Sequence, residues 1–593
     1  MTAPPDAGSG TTRTDPLKNT SQHKQILPWL GLFAILIVYA ASVARLKPTN
    51  FFGLSEDDAL YFSSAQALAE GQGYILPSVP GTPRATKYPV LYPWLLSWIW
   101  RWNPSFPANL AEGVALNVVF GWAFLTAAFL FLRRLGGLRD AEALFLTAFC
   151  ALHPFVLFFT SNLMAEIPFA ALALSAMVLA GKTIRGEHEK ASAVSSGILS
   201  GLSILMRVLG APISVGLCLA ILLRQGWRKS AHFAAGALPF FAVWLWRSLA
   251  VAPQKALISI SSCSRSWQMA WLYYTSYLGF WRADALQNHA MWHFLKENLI
   301  LVLVQPGSYL VEPGFLPVAA VLASAPAVVL SAGAIRGGLL VRERNGNWQP
   351  VHYALFFYIL PVLVWNYPLA ERFLIPFLPF FVGAIWLEGR MLIERIQWSL
   401  RTQGLRKEGF AIVVLSLGIL ALLLSVASSF ERGLVLVRQN SERRGELLTD
   451  KREAYTWLRD HTATDTKVIA YEDASAYLYS HRQAMRPVIF SPGGSFRPEK
   501  LEAELSCITT VAQTIGAEYW LIADDDFDAE WEPAITLGRA REKQYEEVLP
   551  RVFRGARSRV RIYRLGCADP AKGADCQLGY PMWNGPRAVE SKP

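Results

Sequence analysis

Long apolar runs separated by short basic connections dominate the chain. Runs near 26–44, 112–132, 141–160, 167–181, 192–206, 208–223, 231–250, 315–335, 351–366, 373–389 and 410–430 read as membrane helices. They predict a polytopic α-helical membrane domain over 26–435 with about eleven transmembrane helices. The connections after the even-numbered runs are basic: Arg133-Arg134, Lys182 to Lys190, Arg224 to Lys229, Arg336 to Arg344 and Arg390 to Lys407. The positive-inside rule places all of them in the cytoplasm. The run from Ala191 to Leu223 is too long for one ordinary span and contains Arg207. An Arg in hydrocarbon costs roughly 2.5–3.5 kcal/mol on insertion scales, so a break at Arg207 between two short spans is expected.

With a cytoplasmic N-terminus, segments 45–110, 161–166, 251–314, 367–372 and everything after about 431 lie outside. The polar residues 1–25 predict a disordered cytoplasmic tail. Ser42-Val43-Ala44 loosely resembles a signal-peptidase site, but the later spans need the first one for parity. In the loop 45–110, apolar residues recur at helical spacing from Ser63 to Tyr74, and a Trp-rich stretch through Trp102 suits the membrane interface. Aromatic runs in the loop 251–314 predict further interfacial helices.

From about Asn440 the composition becomes that of a soluble domain. Lys467–Tyr471, Glu518–Ala523 and Arg559–Leu565 read as strands, and Glu453–His461 and Glu499–Ile515 as helices. This alternation predicts a small extracytoplasmic α/β domain over 440–567, followed by a disordered tail over 568–593.

Composition adds exclusions. Hydrophobic residues make up 53% of the 593, which rules out an ordinary soluble enzyme. The net charge of +11 is spread over loops rather than one face, so nucleic acid is not an expected partner; the lipid bilayer is. No nucleotide-binding fingerprint and no C-x-x-C pair is present. Cys150 and Cys218 fall in spans, while Cys567 and Cys576 are candidates for an extracytoplasmic disulfide.

The candidate chemistry begins at Asp57-Asp58, about a dozen residues after the first span. Before Ala59-Leu60-Tyr61-Phe62 the pair reads equally well as a helix N-cap and as a base at the membrane surface. His289 and His293, four apart, have no third ligand in view and read as an interfacial helix rather than a zinc site. Asp524-Asp525-Asp526 follows a predicted strand and reads as a solvated loop.

Asp57-Asp58-x-x-Tyr61 with Gly71-x-Gly73-Tyr74, then Lys87-Tyr88-Pro89-x-Leu91-Tyr92-Pro93, resembles the first external loop of polytopic C-type glycosyltransferases (GT-C) that use polyprenyl-phosphate sugars. That group includes protein O-mannosyltransferases and lipid A aminoarabinose transferases. The resemblance extends through Met164-Ala165-Glu166-Ile167-Pro168, Met206-Arg207-x-x-Gly210 and Glu371-Arg372-Phe373-Leu374-Ile375-Pro376, and into the tail at Glu453-Ala454-Tyr455-x-Trp457. It implies a GT-C-like fold in the inner membrane, a polyprenyl-phosphate-linked sugar as donor and a lipid, glycan or protein hydroxyl as acceptor.

Asp57 is then the general base of an inverting transfer. Asp58 is left with three roles: orienting the acceptor, binding a cation, or raising the base's pKa by like-charge repulsion. Lys87 and Arg372, with Arg207 as a third candidate, match positions that hold the donor phosphate; interfacial snorkelling explains Lys87 and Arg372 otherwise. Glu166 is a candidate for the acceptor or a metal, or caps the next span. Glu371 is a candidate partner for Arg372. No resident cofactor is implied, and a divalent cation (Mg or Mn) stays open.

The chain departs from the mannosyltransferase pattern in having Asp-Asp for Asp-Glu and Lys-Tyr-Pro for Lys-Pro-Pro. Competing readings are a flippase of lipid-linked sugars, a ligase acting on pyrophosphate-linked glycans, and a non-catalytic envelope protein whose tail binds glycan.

Overall fold

The computed structural model describes residues 16–251, 263–286, 289–311, 317–366, 371–403, 405–494, 498–528 and 530–565. Every apolar run identified above is mostly helical where it is described. Among the described residues, seven helices are long and apolar enough to cross a membrane, or eight if Asp140–Leu152 and Pro154–Ser161, bent by 51° at His153, count as one span. The chain is a multi-pass membrane protein. Eleven crossings are not reached on length and apolarity. Gly210–Gln225 and Pro350–Leu363 have 16 and 14 residues, or about 24 and 21 Å at 1.5 Å per residue, against a hydrocarbon core of ~30 Å. The Ser- and Gly-rich helix Glu189–Met206 is not apolar enough to count.

The expected break at Arg207 is present. Helix Glu189–Met206 ends, Arg207 is extended at φ −148°, and helix Gly210–Gln225 begins three residues on. Trp227–Ala250 packs against helix Glu189–Met206, where small residues let the backbones meet. A Cβ on Gly197 would lie 2.1 Å from Phe233 O, and one on Gly236 2.5 Å from Val194 O.

Two boundaries differ from expectation. The first helix starts at Pro16, so the end of the segment read as a disordered tail is helical. Proline is well tolerated at a helix start, and the first span continues past the apolar run. At the other end, the last apolar run does not stop before the soluble domain. Leu405–His461 is one helix of 57 residues, about 85 Å long, which leaves the membrane and enters the tail domain without a linker.

The tail domain carries the five strands Lys467–Ala470 (β1), Gln483–Met485 (β2), Ala517–Ala523 (β3), Arg551–Arg554 (β4) and Val560–Arg564 (β5), in spatial order β2-β1-β3-β5-β4. β1 is parallel to β2 and β3, and β3–β5 and β5–β4 are antiparallel. The strands at 483–485 and 551–554 escape the sequence reading: the first is three residues long, and the second, Arg551-Val552-Phe553-Arg554, is mostly exposed. Helix Leu91–Trp102 exposes Trp94, Trp98 and Trp102, as an interfacial helix should. Ser264–Thr275 and Met291–Ser308 supply the helices expected in 251–314.

A disulfide joins Cys263, in the loop 251–314, to Cys507 in the tail domain, with Cα atoms 5.8 Å apart. The expected pairing of Cys567 with Cys576 lies outside the described residues, as does the tail 568–593. Cys150 and Cys218 are free.

The disulfide closes a loop of 244 residues. Cys263→Ser/Cys507→Ser should therefore lower unfolding stability by about 2–4 kcal/mol. A melting curve in detergent with and without reductant checks this, and a non-reduced peptide map should contain the 263–507 cross-link.

Candidate functional site

The first external loop turns sharply after a 3-10 turn at Pro48–Phe51. Gly53 adopts φ +84°, and a Cβ there would lie 2.5 Å from Ser475 Oγ, so only glycine fits. Helix Asp57–Ala69 follows. Its N-cap is Glu56, at φ +60° and with no side-chain capping bond. Asp57 and Asp58 are not caps. They occupy the first helical turn, where the positive end of the helix favours carboxylates.

The two aspartates then part company. Asp58 is fully buried, its Oδ2 accepting from Gly53 N and its Oδ1 from Ala59 N, both at 2.8 Å. Burial raises its carboxyl to about 7. It holds the loop's shape and does not line the cavity into which Asp57 faces.

Asp57 Oδ1 accepts a hydrogen bond from the Tyr88 hydroxyl, and Oδ2 lies 3.6 Å from Arg372 Nη1. Arg372 Nη1 is also 3.9 Å from Glu166 Oε1, which Arg207 Nη1 contacts directly. Both guanidiniums sit against the Phe373 ring, 5.7 Å from its centroid for Arg207 and 5.3 Å for Arg372. Four segments far apart in sequence thus converge on one alternating row of charges, Asp57–Arg372–Glu166–Arg207.

Local structure supplies each member. Arg207 stands at the break between two helices, and Glu166 opens helix Glu166–Ile184. The turn before Glu166 is held by Asn162, whose Nδ2 donates to Ser55 Oγ at 2.5 Å and whose carbonyl accepts from Asn117 Nδ2 at 2.8 Å. Arg372 lies in a 3-10 turn ahead of a spanning helix. The side chain of Glu371, expected to pair with it, lies outside the described residues; Arg372 reaches Asp57 and Glu166.

Lys87 is 5% exposed, so it does not snorkel to the interface. Its Nζ lies 3.4 Å from the Tyr273 ring centroid, 4.9 Å from that of Tyr88 and 5.4 Å from that of Tyr277. Burial pulls the ammonium down to about 8, against the opposing pull of Asp57 and Glu56. The tail domain adds Arg486, whose Nη1 is 2.8 Å from Glu56 Oε2 and whose guanidinium lies 3.8 Å from the Tyr471 ring centroid. Glu56 Oε2 also accepts from Tyr273 OH at 3.0 Å. Burial raises the Glu56 carboxyl, against the pull of Arg486.

These groups line a cavity of about 340 Å³ containing Asp57, Lys87, Tyr88, Arg207, Arg372 and Arg486. A second cavity of about 610 Å³ shares Ser55, Glu56, Arg372 and Arg486 with it and extends along the seam between the long helix and the tail domain. Of the residues singled out in the sequence, Asp57, Lys87, Arg207 and Arg372 line the first cavity, Glu166 sits behind it bound to two arginines, and Asp58 faces away. Tyr88, Glu56 and Arg486 were missed as site members. Tyr88 lies inside a motif that could have flagged it, whereas nothing in the sequence around Arg486 points to this site.

Among the described residues no group of three or more His, Cys, Asp and Glu could hold a metal ion. His289, at φ +54°, precedes helix Met291–Ser308 and shares no helical face with His293. Asp524–Asp526 is not a solvated loop throughout. Asp525 is paired within 2.7 Å to Arg444 and Lys451, and Asp526 Oδ2 accepts from Ala523 N at 2.9 Å.

No protein-family model and no curated protein matches the chain. Among solved structures it is similar to the Archaeoglobus fulgidus oligosaccharyltransferase in the apo form, at 14% identity and a TM-score of 0.49 over 83% of this chain and 70% of that one. It is similar to ArnT from Cupriavidus metallidurans bound to undecaprenyl phosphate, at 12% and 0.47 over 90% and 98%. It is also similar to AglB from Archaeoglobus fulgidus in complex with an inhibitory peptide and a dolichol-phosphate, at 13% and 0.46 over 94% and 75%. At such scores the similarity stays in the coarse path of the chain, and the side chains around Asp57 decide what chemistry is possible.

Removing one member of the buried pair strands the other. Glu166→Gln should destabilise the protein by about 3 kcal/mol or more. Adding Arg207→Gln should recover part of that loss, which a double-mutant cycle on detergent-solubilised protein measures.

Proposed function

We propose that the protein is a membrane glycosyltransferase that moves a sugar from a polyprenyl-phosphate donor to an acceptor hydroxyl. Asp57 is its general base, and the anomeric configuration inverts. The observation that carries this reading is that Asp57 lines a cavity together with Lys87, Arg207 and Arg372. A poor nucleophile needs a base, and a departing phosphate needs fixed cations, in the same place.

In the reaction the acceptor oxygen attacks the anomeric carbon and the bond from that carbon to the phosphate oxygen breaks. Polyprenyl phosphate leaves, and the hydroxyl proton passes to Asp57. An arriving phosphate competes for Arg372 Nη1, whose contact with Asp57 is long at 3.6 Å; that exchange turns Oδ2 toward the acceptor. A double displacement would need a second carboxylate at the reacting carbon. The other carboxylates at this cavity are engaged: Glu166 by Arg207 and Arg372, Glu56 by Arg486 and Tyr273, and Glu530 by the Tyr471 hydroxyl. Glu166 acts by positioning the two arginines, and Asp58 by shaping the loop.

We infer further that the protein sits in the inner membrane with the N-terminus cytoplasmic and the tail domain outside. The basic connections support this orientation. So does the Cys263–Cys507 disulfide, since such bonds persist in oxidising compartments.

Purified protein incubated with a panel of radiolabelled polyprenyl-phosphate sugars and envelope acceptors tests the reading. Wild type should transfer label, and Asp57→Asn should lose about 10²–10⁴-fold in rate; equal turnover by both proteins removes Asp57 from the chemistry. Because the Lys87 ammonium in the free enzyme is held near 8, its positive charge is present below that pH and lost above it. The donor kcat/KM should therefore fall above pH ~8, approaching tenfold per unit, and Lys87→Arg should move that alkaline limb upward.

A further inference from the structure

The two adjoining cavities differ in chemistry, and the difference bears on the acceptor. The first is walled largely by aromatic rings, among them Tyr88, Tyr277, Trp365 and Phe373, and its cations outnumber its carboxylates. It suits a phosphate on an apolar tail. The second has fourteen lining residues, of which only Leu54, Leu447 and Tyr471 have large apolar surfaces. Four arginines there face four carboxylates, with Asn440 and Ser55 between them.

Three of its walls are well anchored. Ser441 Oγ donates to Leu46 O at 2.5 Å, and Asn50 Nδ2 donates to Ser441 O at 3.2 Å, which fixes the long helix against the end of the first span. Arg444 bridges Glu472 at 2.5 Å and Asp525 at 2.6 Å, and Lys451 reaches the same two carboxylates at 2.6 and 2.7 Å. Arg444 is 5% and Lys451 1% exposed, so this frame is built into the fold rather than being a surface accident.

We propose, resting on the glycosyl-transfer reading above, that the second cavity is the acceptor subsite and that the acceptor is a neutral polyhydroxylated saccharide. Balanced charge at close range gives a sugar both hydrogen-bond donors and acceptors, as vicinal hydroxyls require. An anionic headgroup would meet four carboxylates there. A volume of about 610 Å³ falls within the ~300–1,000 Å³ of small-ligand sites. The shared residues Ser55, Glu56, Arg372 and Arg486 lead from this cavity to the one lined by Asp57. A saccharide seated along the seam can thus present one terminal hydroxyl to the base, with the remainder held by the tail domain.

Asn440 and Asp528 line the second cavity from opposite walls and do not line the first. Equilibrium binding of tritiated neutral gluco- and manno-oligosaccharides to the full-length protein in detergent, without donor, tests the proposal. Wild type and Asp57→Asn should bind, and Asn440→Trp and Asp528→Trp should each weaken binding by about tenfold or more, with unchanged melting temperatures showing that both fold. Absence of oligosaccharide binding, binding indifferent to both tryptophans, or preference for a lipid-linked, acidic-sugar or peptide competitor overturns it. Saccharide binding with these sensitivities but no transfer from any polyprenyl-phosphate sugar leaves the subsite standing and removes the catalytic reading instead.

Discussion

The site depends on the row Asp57–Arg372–Glu166–Arg207. Each of these charges is largely removed from water and would be strongly unfavourable alone. Alternation of sign makes the set tolerable and fixes its order. The row also ties together the first external loop, the turn before one helix, the break between two others and the approach to a fourth. None of these segments is regular secondary structure over its whole length, so the shared ion pairs do what backbone hydrogen bonds do elsewhere. Weakening one pair would loosen the rim as well as the chemistry. Asp58 and Gly53 extend the same logic into the loop, where a buried carboxylate takes two backbone N–H groups and a left-handed glycine lets the tail domain press close.

Much of this was legible in the sequence. Long apolar runs are mostly helical where they are described, and the high cost of Arg207 in hydrocarbon predicted the helix break that now presents it to the site. The motif resemblance marked Lys87, Arg207 and Arg372 as a group. What could not be read was direction. Adjacent aspartates look alike in sequence, yet a helical turn rotates neighbouring side chains by about 100°, so one faces the cavity and the other the loop. Arg486 was invisible for a different reason. Its partner Glu56 is 430 residues away, and no local pattern records such a contact. Crossing number escaped as well, because apolarity predicts that a segment is helical more reliably than it predicts a length sufficient to span.

Lys87 and Arg486 show how the walls divide the work. One cation rests on three tyrosine rings, which stabilise it without neutralising it. The other is matched to a carboxylate and an aromatic face, and closes the cavity from the tail-domain side. A site assembled from both the membrane domain and the tail domain is complete only when the two are docked, and the disulfide from Cys263 to Cys507 is one of the ties that keeps them so.

The uninterrupted helix Leu405–His461 gives that docking a mechanical side. Beyond Glu431 it projects for about 45 Å as a stiff rod whose foot is embedded among lipid tails. A change in its inclination of about 5° sweeps the tip through about 4 Å, by simple lever arithmetic on that length. Packing and anchoring contacts set such inclinations, here the ties from Ser441 to Leu46 and Asn50. A shift at the end of the first span is therefore felt at the far end of the rod, where the tail domain is carried.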